Sequence, residues 1–426
     1  MRNQRPNAPS ATTRRTATRT SRRRRLASED IAGLFGTCRP APAREHPRIA
    51  RSHAARRPAR TARNAALACL AMTDLMPLSE LTTLRLGGLP RRLVDATTED
   101  ELVALVRAAD ADGEPVLVLA GGSNVVAADD GFPGTVVRVR TTGVQQLPRS
   151  DGRVWLDVAA GEQWDAFVAF CVANEIAGVE ALSGIPGSVG ATPIQNVGAY
   201  GQEVADVIVG VRALDRSTAA IHALDVEECL FDYRSSVFKR DPGRWLVLAV
   251  SFAFEPGDES EPVRYAELAR RLGVDEGARA PLADVRAAVL ALRRRKGMVL
   301  DPADPDTCSA GSFFTNPIIR RHAFEELRER AAARLGDDAA PPSWPASDHR
   351  YVKTSAAWLI ERAGFARGYG DPDGIAISCK HTLALCNRGA GTTAALVALA
   401  REIAAGVREA FGIELVPEPV FAGHHW

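Results

Sequence analysis

Residues 184–201, with the sequence GIPGSVGATPIQNVGAYG, are the stretch that most constrains this chain. Five of these 18 residues are glycine, two are proline and none is charged. Glycine reaches backbone angles closed to other residues and lets a ligand approach the main chain, where successive N–H groups can cradle an anion. The prolines stiffen the stretch, and its isoleucines and valines can pack it down. A flexible connector is the alternative, but these features favour a loop that binds a phosphate-bearing ligand.

The overall composition is that of a globular protein. The chain has 426 residues, enough for two or three domains, and its contents of 46% hydrophobic and 25% charged residues are ordinary. It contains no apolar run long enough for a membrane span, so we expect no membrane partner. Its 7 cysteines are scattered, without a C-x-x-C pair. This argues against a disulfide framework and a metal site, and it fits a cytoplasmic protein.

The N-terminal segment differs sharply from the rest. Residues 1–65 contain 17 arginines and no lysine against 3 acidic residues, an excess of 14 positive charges. Because the whole chain carries +1, the remainder carries −13 and is not expected to bind nucleic acid by itself. With few large apolar residues, the segment is predicted to be disordered. Three interpretations stay open: translation that begins near Met72, a solvated tail, or an arm for nucleic acid or a membrane surface.

Hydrophobic periodicity predicts interleaved helices and strands in the remainder, which indicates an α/β or α+β class. Helices are predicted at 98–112, 163–176, 282–295 and 392–411, the first capped by Thr98. Strands are predicted at 116–119, 135–140 and 154–158, and near 205–215 and 245–255. Residues 337–347 predict a surface loop. A Rossmann fold is excluded because no G-x-G-x-x-G follows the first strand.

Two motifs have the residue types that bind anions. Residues 121–124 (GGSN) follow a predicted buried strand, and their N–H groups and short polar side chains suit a pyrophosphate, although a hairpin turn fits equally well. Residues 231–239 (FDYRSSVFK) place Arg234 and Lys239 among aromatic residues. An arginine fork can clamp a carboxylate or phosphate through two hydrogen bonds. A surface strand with snorkelling side chains is the alternative.

Two further motifs carry groups for proton chemistry. In residues 309–317 (SAGSFFTNP), Ser312 lies between a glycine and two phenylalanines, where a hydroxyl can donate a proton to a strong base. No G-x-S-x-G elbow is present, which argues against a hydrolase serine; a serine satisfied by its turn is the alternative. In residues 415–421 (LVPEPVF), Glu418 stands between two prolines on a predicted apolar strand. A carboxylate buried there must be paired or functional, unless the strand is an exposed edge.

Lysine is rare enough here to be informative. Of the 53 basic residues, only 4 are lysine, at positions 239, 296, 353 and 380. Arginine and lysine are not interchangeable, so a lysine that persists against this bias can mark a place that needs a compact point charge. Lys239 falls inside the second anion motif, and Lys296 begins the segment that leads to Ser312. Chance placement remains the alternative.

Taken together and in order, the motifs resemble those of the UDP-N-acetylenolpyruvoylglucosamine reductase family. The matching stretches are residues 84–88, 115–124, 184–201, 233–239, 310–317 and 417–423. The resemblance implies an α+β fold in which FAD-binding domains of the vanillyl-alcohol-oxidase (PCMH) type precede a C-terminal α/β substrate domain. The expected parts are a disordered Arg-rich extension (1–71), FAD-binding subdomain 1 (72–145, completed by 412–426), FAD-binding subdomain 2 (146–295) and a substrate-binding domain (296–411). Residues 1–71 have no counterpart in the family.

The same resemblance implies a cytoplasmic oxidoreductase with non-covalent FAD and with NADPH as hydride donor. It would reduce UDP-N-acetylglucosamine enolpyruvate to UDP-N-acetylmuramate in peptidoglycan precursor synthesis. Ser312 matches the family's proton donor, and Arg234 and Glu418 match the residues that polarise the substrate carboxylate and stabilise the enolic intermediate. The implied FAD contacts are Gly121, Gly122, Ser123, Asn124, Gly184, Gly187, Gly190, Gly198 and Gly201. The implied substrate contacts are Tyr265 on a covering loop, Lys296, whose spacing to Ser312 is longer than in the family, and Asn316.

Two other classes of protein compete with this interpretation. One is a flavoprotein oxidase of the same fold that acts on a sugar or lactone. Some such oxidases attach FAD through a histidine, but this chain has none between His53 and His222. The other is a non-catalytic nucleotide-binding protein whose basic arm contacts nucleic acid. The joint presence of Arg234, Ser312 and Glu418 argues against lost catalysis.

Overall fold

The computed structural model describes residues 74–336 and 338–426. The disorder predicted for residues 1–71 therefore lies outside the described residues, as does Asp337. The first half of the described chain contains 12 strands and 3 helices. In chain order they are β1 (Pro90–Ala96), α1 (Glu99–Asp112), β2 (Val116–Leu119), β3 (Val125–Ala127), β4 (Phe132–Val139), β5 (Val144–Leu147), β6 (Val154–Ala159), α2 (Trp164–Ala173), β7 (Ile176–Ala177), β8 (Gly198–Ala199), β9 (Gln202–Glu203), β10 (Ile208–Asp215), β11 (Ala220–Asp225), α3 (Val237–Arg240) and β12 (Trp245–Pro256).

The second half contains the remaining elements. They are α4 (Ala266–Leu272), α5 (Leu282–Arg295), β13 (Ser309–Ser312), β14 (Ile318–Arg320), α6 (Arg321–Leu335), β15 (Ser343–Pro345), β16 (Tyr351–Thr354), α7 (Ala356–Arg362), β17 (Ile375–Ile377), β18 (Ala384–Asn387), α8 (Thr393–Phe411) and β19 (Val420–Ala422). None of the helices in the described ranges has the length and apolar character needed to cross a membrane.

A small parallel sheet with the order β1-β4-β2 begins the fold, and α1 packs against it. Thr98 caps this helix, because its hydroxyl accepts from the N–H of Glu101 while the Glu101 carboxylate accepts from the N–H of Thr98. Gly113 ends the helix with a φ of 66°, a left-handed conformation that favours glycine. The helix predicted at 98–112 and the strand predicted at 116–119 are thus confirmed.

A six-stranded antiparallel sheet follows, with the order β11-β10-β12-β6-β5 and with β7 paired to one end of β12. Nine consecutive residues of β12, 246–254, are buried, so both faces of this strand are covered. Its Phe252 packs against Phe167 of α2, with ring centroids 5.3 Å apart. The helix predicted at 163–176 is shorter than expected, because Ile176 pairs with β12 as part of β7.

Two three-stranded sheets, β13-β18-β17 and β14-β16-β15, form the C-terminal part together with α6, α7 and α8. The helix predicted at 392–411 is confirmed as α8, which is capped by Thr392 and buries Leu396, Ile403 and Val407 completely. The surface loop predicted at 337–347 is wrong in part. Residues Ser343–Pro345 form β15, which pairs with β16. A three-residue strand with a proline acquires its structure from its partner, so its own sequence carries no strand signal.

The last strand returns to the start of the fold. β19 pairs in parallel with β3, with Phe421 opposite Val126. Just before β19, Pro417 bridges to Phe314 beyond the end of β13. The C-terminal segment is therefore joined both to β3, in the N-terminal part of the fold, and to the segment that follows Ser312. Glu418 lies between these two pairings, outside the strand on which the sequence predicted it.

We expect replacement of a central aromatic residue to weaken the six-stranded sheet. Phe252 is completely buried, so Phe252→Ala removes its ring contacts and leaves a cavity that should lower the free energy of unfolding by about 3–5 kcal/mol. Urea denaturation followed by circular dichroism measures this change. Phe170 on α2 is 41% exposed and provides the control. An equal loss in Phe170→Ala and Phe252→Ala would contradict the packing argument.

Candidate active site

Arg234 and Glu418 form a partly buried ion pair. The Nε of Arg234 lies 3.6 Å from Oε1 of Glu418, and the two side chains are 23% and 12% exposed. The guanidinium also donates to the carbonyl oxygens of Asn196, at 3.2 Å, and Gly198, at 2.5 Å. These carbonyls belong to the glycine-rich loop at 184–201. The arginine is therefore held at a fixed point between that loop and the C-terminal segment.

The Arg234 backbone is unusual. It has a φ of 50°, in the left-handed region that non-glycine residues seldom adopt. The residue occupies a tight turn in which Asp232 and Ser235 exchange two backbone hydrogen bonds of 3.0 and 3.1 Å. Such conformations persist only where surrounding contacts over-determine them, and they are frequent at functional sites.

Glu418 has an environment that opposes its ionisation. Burial raises the pKa of its carboxyl above the usual 4.5, and the cations Arg234 and Lys239 act in the opposite direction. The Glu418 N–H donates to the carbonyl of Phe313 at 2.8 Å, and the N–H of Thr315 donates to Val416 at 3.1 Å. These two bonds fix Glu418 against the segment that begins at Ser312.

Ser312 ends β13 and is half-buried. The preceding Gly311 has a φ of 74°, so the chain turns sharply there. The following residues, Phe313 and Phe314, are each 1% exposed and anchor the segment in the C-terminal core. Because Phe313 accepts the hydrogen bond from Glu418, the structure brings Ser312, Glu418 and Arg234 to adjoining segments although they lie far apart in the sequence.

Residues 121–124 meet the glycine-rich loop at its first turn. A Cβ atom added to Gly121 would lie 2.8 Å from Cα of Gly187, so the two main chains approach with no side chain between them. The Ser123 hydroxyl donates to the carbonyl of Pro186 at 3.2 Å. Two glycine-rich backbones held in this way form a cradle of the kind that suits a phosphate-bearing ligand.

Asn124 connects this cradle to the ion pair. Its side-chain amide donates to Oε1 of Gln195 in the glycine-rich loop, at 3.0 Å, and to the carbonyl of Glu418, at 3.3 Å. Its own carbonyl accepts from the N–H of Val420 at 2.9 Å. The short polar side chain thus has a structural role, because it ties three segments of the site together.

The glycines of the long loop serve several purposes. Gly184 and Gly201 have φ values of 73° and 86° and permit turns. Gly190 and Gly198 are needed for close packing, since an added Cβ would lie 2.5 Å from Cβ of Ala160 and 2.8 Å from Cγ of Glu203 respectively. Part of the glycine content that indicated a ligand loop is therefore explained by contacts within the protein.

Tyr265 and Lys296 both contact a third residue, Tyr200. The Tyr265 ring packs edge-on against Tyr200 with centroids 5.4 Å apart, and Nζ of Lys296 lies 5.8 Å from the Tyr200 ring centroid. Lys296 also donates to Glu267 at 2.6 Å. Tyr265 is 42% exposed at the start of α4.

Asn316 lies with the ion pair. Its Oδ1 accepts from the N–H of Ala356 at 3.0 Å, which places it at the start of α7. It also lowers the pKa of the phenol of Tyr233, the residue before Arg234. Asn316 is thereby linked to the turn that carries Arg234.

Two residues near the ion pair had no assigned role from the sequence. Tyr233 has Arg234 5.5 Å from its ring centroid and Lys353 4.6 Å from the same point. Burial raises the pKa of the Tyr233 phenol, so its hydroxyl stays a hydrogen-bond donor at neutral pH. Two features of the sequence could have indicated these residues. Tyr233 lies inside the second anion motif, and Lys353 is one of only 4 lysines in the chain.

Comparisons with known proteins identify the family of this chain. The FAD binding domain family matches residues 90–224, and the family described as UDP-N-acetylenolpyruvoylglucosamine reductase, C-terminal domain, matches residues 302–422. A UDP-N-acetylenolpyruvoylglucosamine reductase of Thermobifida fusca is 56% identical over 82% of this chain and 97% of its own length. Its counterpart in Salinispora arenicola is 58% identical over 80% of this chain and 93% of its own length.

A solved structure shares the fold. The UDP-N-acetylenolpyruvylglucosamine reductase of Thermus caldophilus matches with a TM-score of 0.54 and 23% identity, over 83% of this chain and all of that chain. With the two family matches, this confirms the expected α+β class, an FAD-binding domain of the PCMH type followed by a C-terminal domain.

The raised pKa of Glu418 makes a prediction about stability. The folded carboxyl keeps its proton to higher pH than the unfolded one, so folding takes up protons between pH 4.5 and the raised pKa. The free energy of unfolding of the unaltered protein should therefore fall, relative to that of Glu418→Gln, as the pH rises through this window. Urea denaturation of both proteins at pH 4 to 7 measures the difference. If the unaltered protein instead gained stability relative to Glu418→Gln as the pH rises, Glu418 would ionise more readily in the folded state than in the unfolded state.

Proposed function

The chain belongs to the UDP-N-acetylenolpyruvoylglucosamine reductase family, and we propose that it performs the family's reaction with Arg234, Ser312 and Glu418 as catalytic residues. The reaction is the NADPH-dependent, FAD-mediated reduction of UDP-N-acetylglucosamine enolpyruvate to UDP-N-acetylmuramate, a step of peptidoglycan precursor synthesis. The observation that supports the assignment is the Arg234–Glu418 pair. The N–H of Glu418 donates to the carbonyl of Phe313, so the pair lies next to the segment that begins at Ser312.

The residues present fit a non-covalent FAD. Residues 121–124 and 184–201 both lie within the range matched by the FAD binding domain family, and their main chains approach without intervening side chains at Gly121 and Gly187. We infer that these two stretches hold the cofactor through backbone N–H groups. When bound, FAD accepts a hydride from NADPH and passes it to the enolpyruvyl group.

Arg234 is suited to bind the substrate carboxylate. Reduction of the enolpyruvyl double bond pushes negative charge toward this carboxylate, and a fixed cation stabilises that charge most where water is excluded. The carbonyls of Asn196 and Gly198 hold the guanidinium in place before substrate arrives, so it need not reorganise during the reaction. Glu418, whose Oε1 lies 3.6 Å from Nε of Arg234, would orient the arginine and the substrate carboxyl.

Ser312 would give its proton to C2 of the substrate. Serine is a weak acid, so this transfer requires a strongly basic enolate held at hydrogen-bonding distance. The rigid segment formed by Gly311, Phe313 and Phe314 limits the movement of the hydroxyl, which favours one reacting geometry.

Three further residues would bind the remainder of the substrate. Lys296, held by Glu267 and packed over Tyr200, would contact the anionic diphosphate with its ammonium group. Tyr265 stands beside Tyr200 at the start of α4 and would cover the bound nucleotide. Asn316, next to Tyr233, would contact the sugar or the phosphates through its amide nitrogen, because its Oδ1 is already used.

We further infer a division of labour along the chain and a cytoplasmic location. FAD-binding subdomain 1 would comprise 72–145 completed by 412–426, subdomain 2 would comprise 146–295, and the substrate domain 296–411. The pairing of β19 with β3 supports the assignment of the last segment to subdomain 1. The five cysteines among the described residues are unpaired, which fits a reducing compartment, and the acidic net charge outside residues 1–65 disfavours nucleic acid as a partner of the folded part.

The proposal is tested on the purified full-length chain. It should carry a bound flavin spectrum, and its oxidation of NADPH should depend on UDP-N-acetylglucosamine enolpyruvate. A folded protein that takes up no FAD would contradict the proposed cofactor. Flavin-dependent oxygen consumption with a sugar, without NADPH, would instead indicate an oxidase.

Replacement of the proposed proton donor should separate the two half-reactions. Ser312→Ala leaves the cofactor loops untouched, so reduction of the flavin by NADPH should stay within about twofold. Reduction of the enolpyruvyl substrate should fall by about 100- to 10,000-fold, because general acid catalysis is lost. Stopped-flow absorbance of the flavin measures each step.

The matched control lies three residues further along the chain. Thr315 carries a hydroxyl on the same segment, and this hydroxyl makes only a long 3.4 Å contact to the carbonyl of Val416. Thr315→Val should therefore keep both half-reactions. If Ser312→Ala retained reduction of the enolpyruvyl substrate, the proton donor would have to be another group.

A further inference from the structure

Lys239 makes a direct contact with residues 232–235, the tight turn that carries Arg234. It lies on α3, the short helix that follows this turn, and its Nζ donates to the main-chain carbonyl of Arg234 at 3.1 Å. The lysine thus binds the backbone of the residue whose guanidinium is proposed to hold the substrate carboxylate. Among the described residues, no carboxylate oxygen lies within 4 Å of its ammonium to form an ion pair.

This hydrogen bond is made to a residue with a strained backbone. Arg234 has a φ of 50°, a conformation that costs free energy in a residue with a Cβ. The hydrogen bond from Lys239 restrains the Arg234 carbonyl, and the Asp232–Ser235 bonds close the turn around it. Release of the carbonyl would let the peptide rotate and move the guanidinium away from Asn196 and Gly198.

Lys239 also contributes charge to the site. It is half-buried, and burial lowers the pKa of its ammonium, while Glu418 raises it and Arg234 lowers it further. Glu418 in turn has Arg234 and Lys239 as the charged groups that favour its ionised form. Arg234 and Lys239 both favour ionisation of the Glu418 carboxyl, and of the two only Arg234 forms an ion pair with it.

We propose that Lys239 is a positioning residue for the reductive step, which holds the Arg234 backbone in its left-handed conformation and supplies a second positive charge that acts on Glu418. The proposal rests on the proposed function, because it assigns Lys239 a role in the same site. It also explains why a lysine stands here in a chain that otherwise uses arginine. A compact ammonium can donate to the Arg234 carbonyl as a point charge, and a planar guanidinium is not its equivalent.

Three substitutions separate the two parts of this role. Lys239→Met removes both the hydrogen bond and the charge, Lys239→Gln keeps a donor without the charge, and Lys239→Arg keeps the charge on a larger group. The matched control is Arg240→Met. Arg240 is an exposed cation on the same helix that donates to the main-chain carbonyl of Leu230 and to the side-chain hydroxyl of Ser235, both at 3.1 Å, but not to the main chain of Arg234.

The first readout is the rate of each half-reaction by stopped-flow absorbance of the flavin. Lys239→Met should slow reduction of the enolpyruvyl substrate about 10- to 100-fold and leave reduction of the flavin by NADPH within about twofold. Lys239→Gln should lose less of the rate because it retains a donor. Arg240→Met should match the unaltered protein in both steps.

The second readout is the pH profile of the enolpyruvyl half-reaction. Loss of a cation makes Glu418 harder to ionise, so the step due to Glu418 should move to higher pH in Lys239→Met and Lys239→Gln. It should stay in place in Lys239→Arg. In a Glu418→Gln background, Lys239→Met should cause no such movement. A purely structural role would change the melting temperature and the flavin content without moving the profile.

The results distinguish failure of this proposal from failure of the proposed function. If the unaltered protein does not reoxidise reduced flavin with the enolpyruvyl substrate, the function itself is wrong. If it does, but Lys239→Met and Lys239→Gln keep its rate and its pH profile, Lys239 has no positioning role. Should Lys239→Met fail to fold, Lys239→Gln decides, because it retains the hydrogen-bond donor that supports the turn.

Discussion

The candidate site depends on two main-chain hydrogen bonds that join residues 313–315 to residues 416–418. They place Glu418 beside the segment that begins at Ser312, and the Arg234 side chain reaches the same point from another part of the chain. A shift of this pairing by one residue would turn Glu418 to the opposite side, because successive residues of an extended segment alternate in direction. The buried Phe313 and Phe314 prevent such a shift, since they must remain in the C-terminal core.

Burial of an ion pair is a weak source of stability, because the desolvation of two charges offsets their attraction. The Arg234–Glu418 pair is therefore better understood as part of the proposed substrate-binding site than as a source of folding stability. Its arginine uses backbone carbonyls of the glycine-rich loop, so the proposed site for the substrate carboxylate is joined to the loop that would hold FAD. Asn124 adds a second connection between the loop and the Glu418 segment. Displacement of either part would disturb the other.

Elements with strong local signals were predicted correctly from the sequence, including the strand at 116–119, whereas the short strand β15 was not. The helices α1 and α8 have side-chain caps, apolar stripes and terminal glycines, all of which are visible within a few residues. Strand β15 has no such signal, because only its pairing with β16 makes it a strand. The glycines at 190 and 198 were predicted as FAD contacts, and the structure adds a packing requirement at each.

The sequence by itself determined which chemical groups are available: two glycine-rich stretches, an arginine among aromatic residues, a serine before two phenylalanines and a glutamate between two prolines. These are local patterns, and each had a plain structural alternative. Only the tertiary structure decided that Arg234 meets Glu418, that Glu418 is fixed to the residue after Ser312, and that Lys239 supports the Arg234 backbone. The physical reason is that such contacts depend on strand register and core packing between distant segments, which no local pattern encodes.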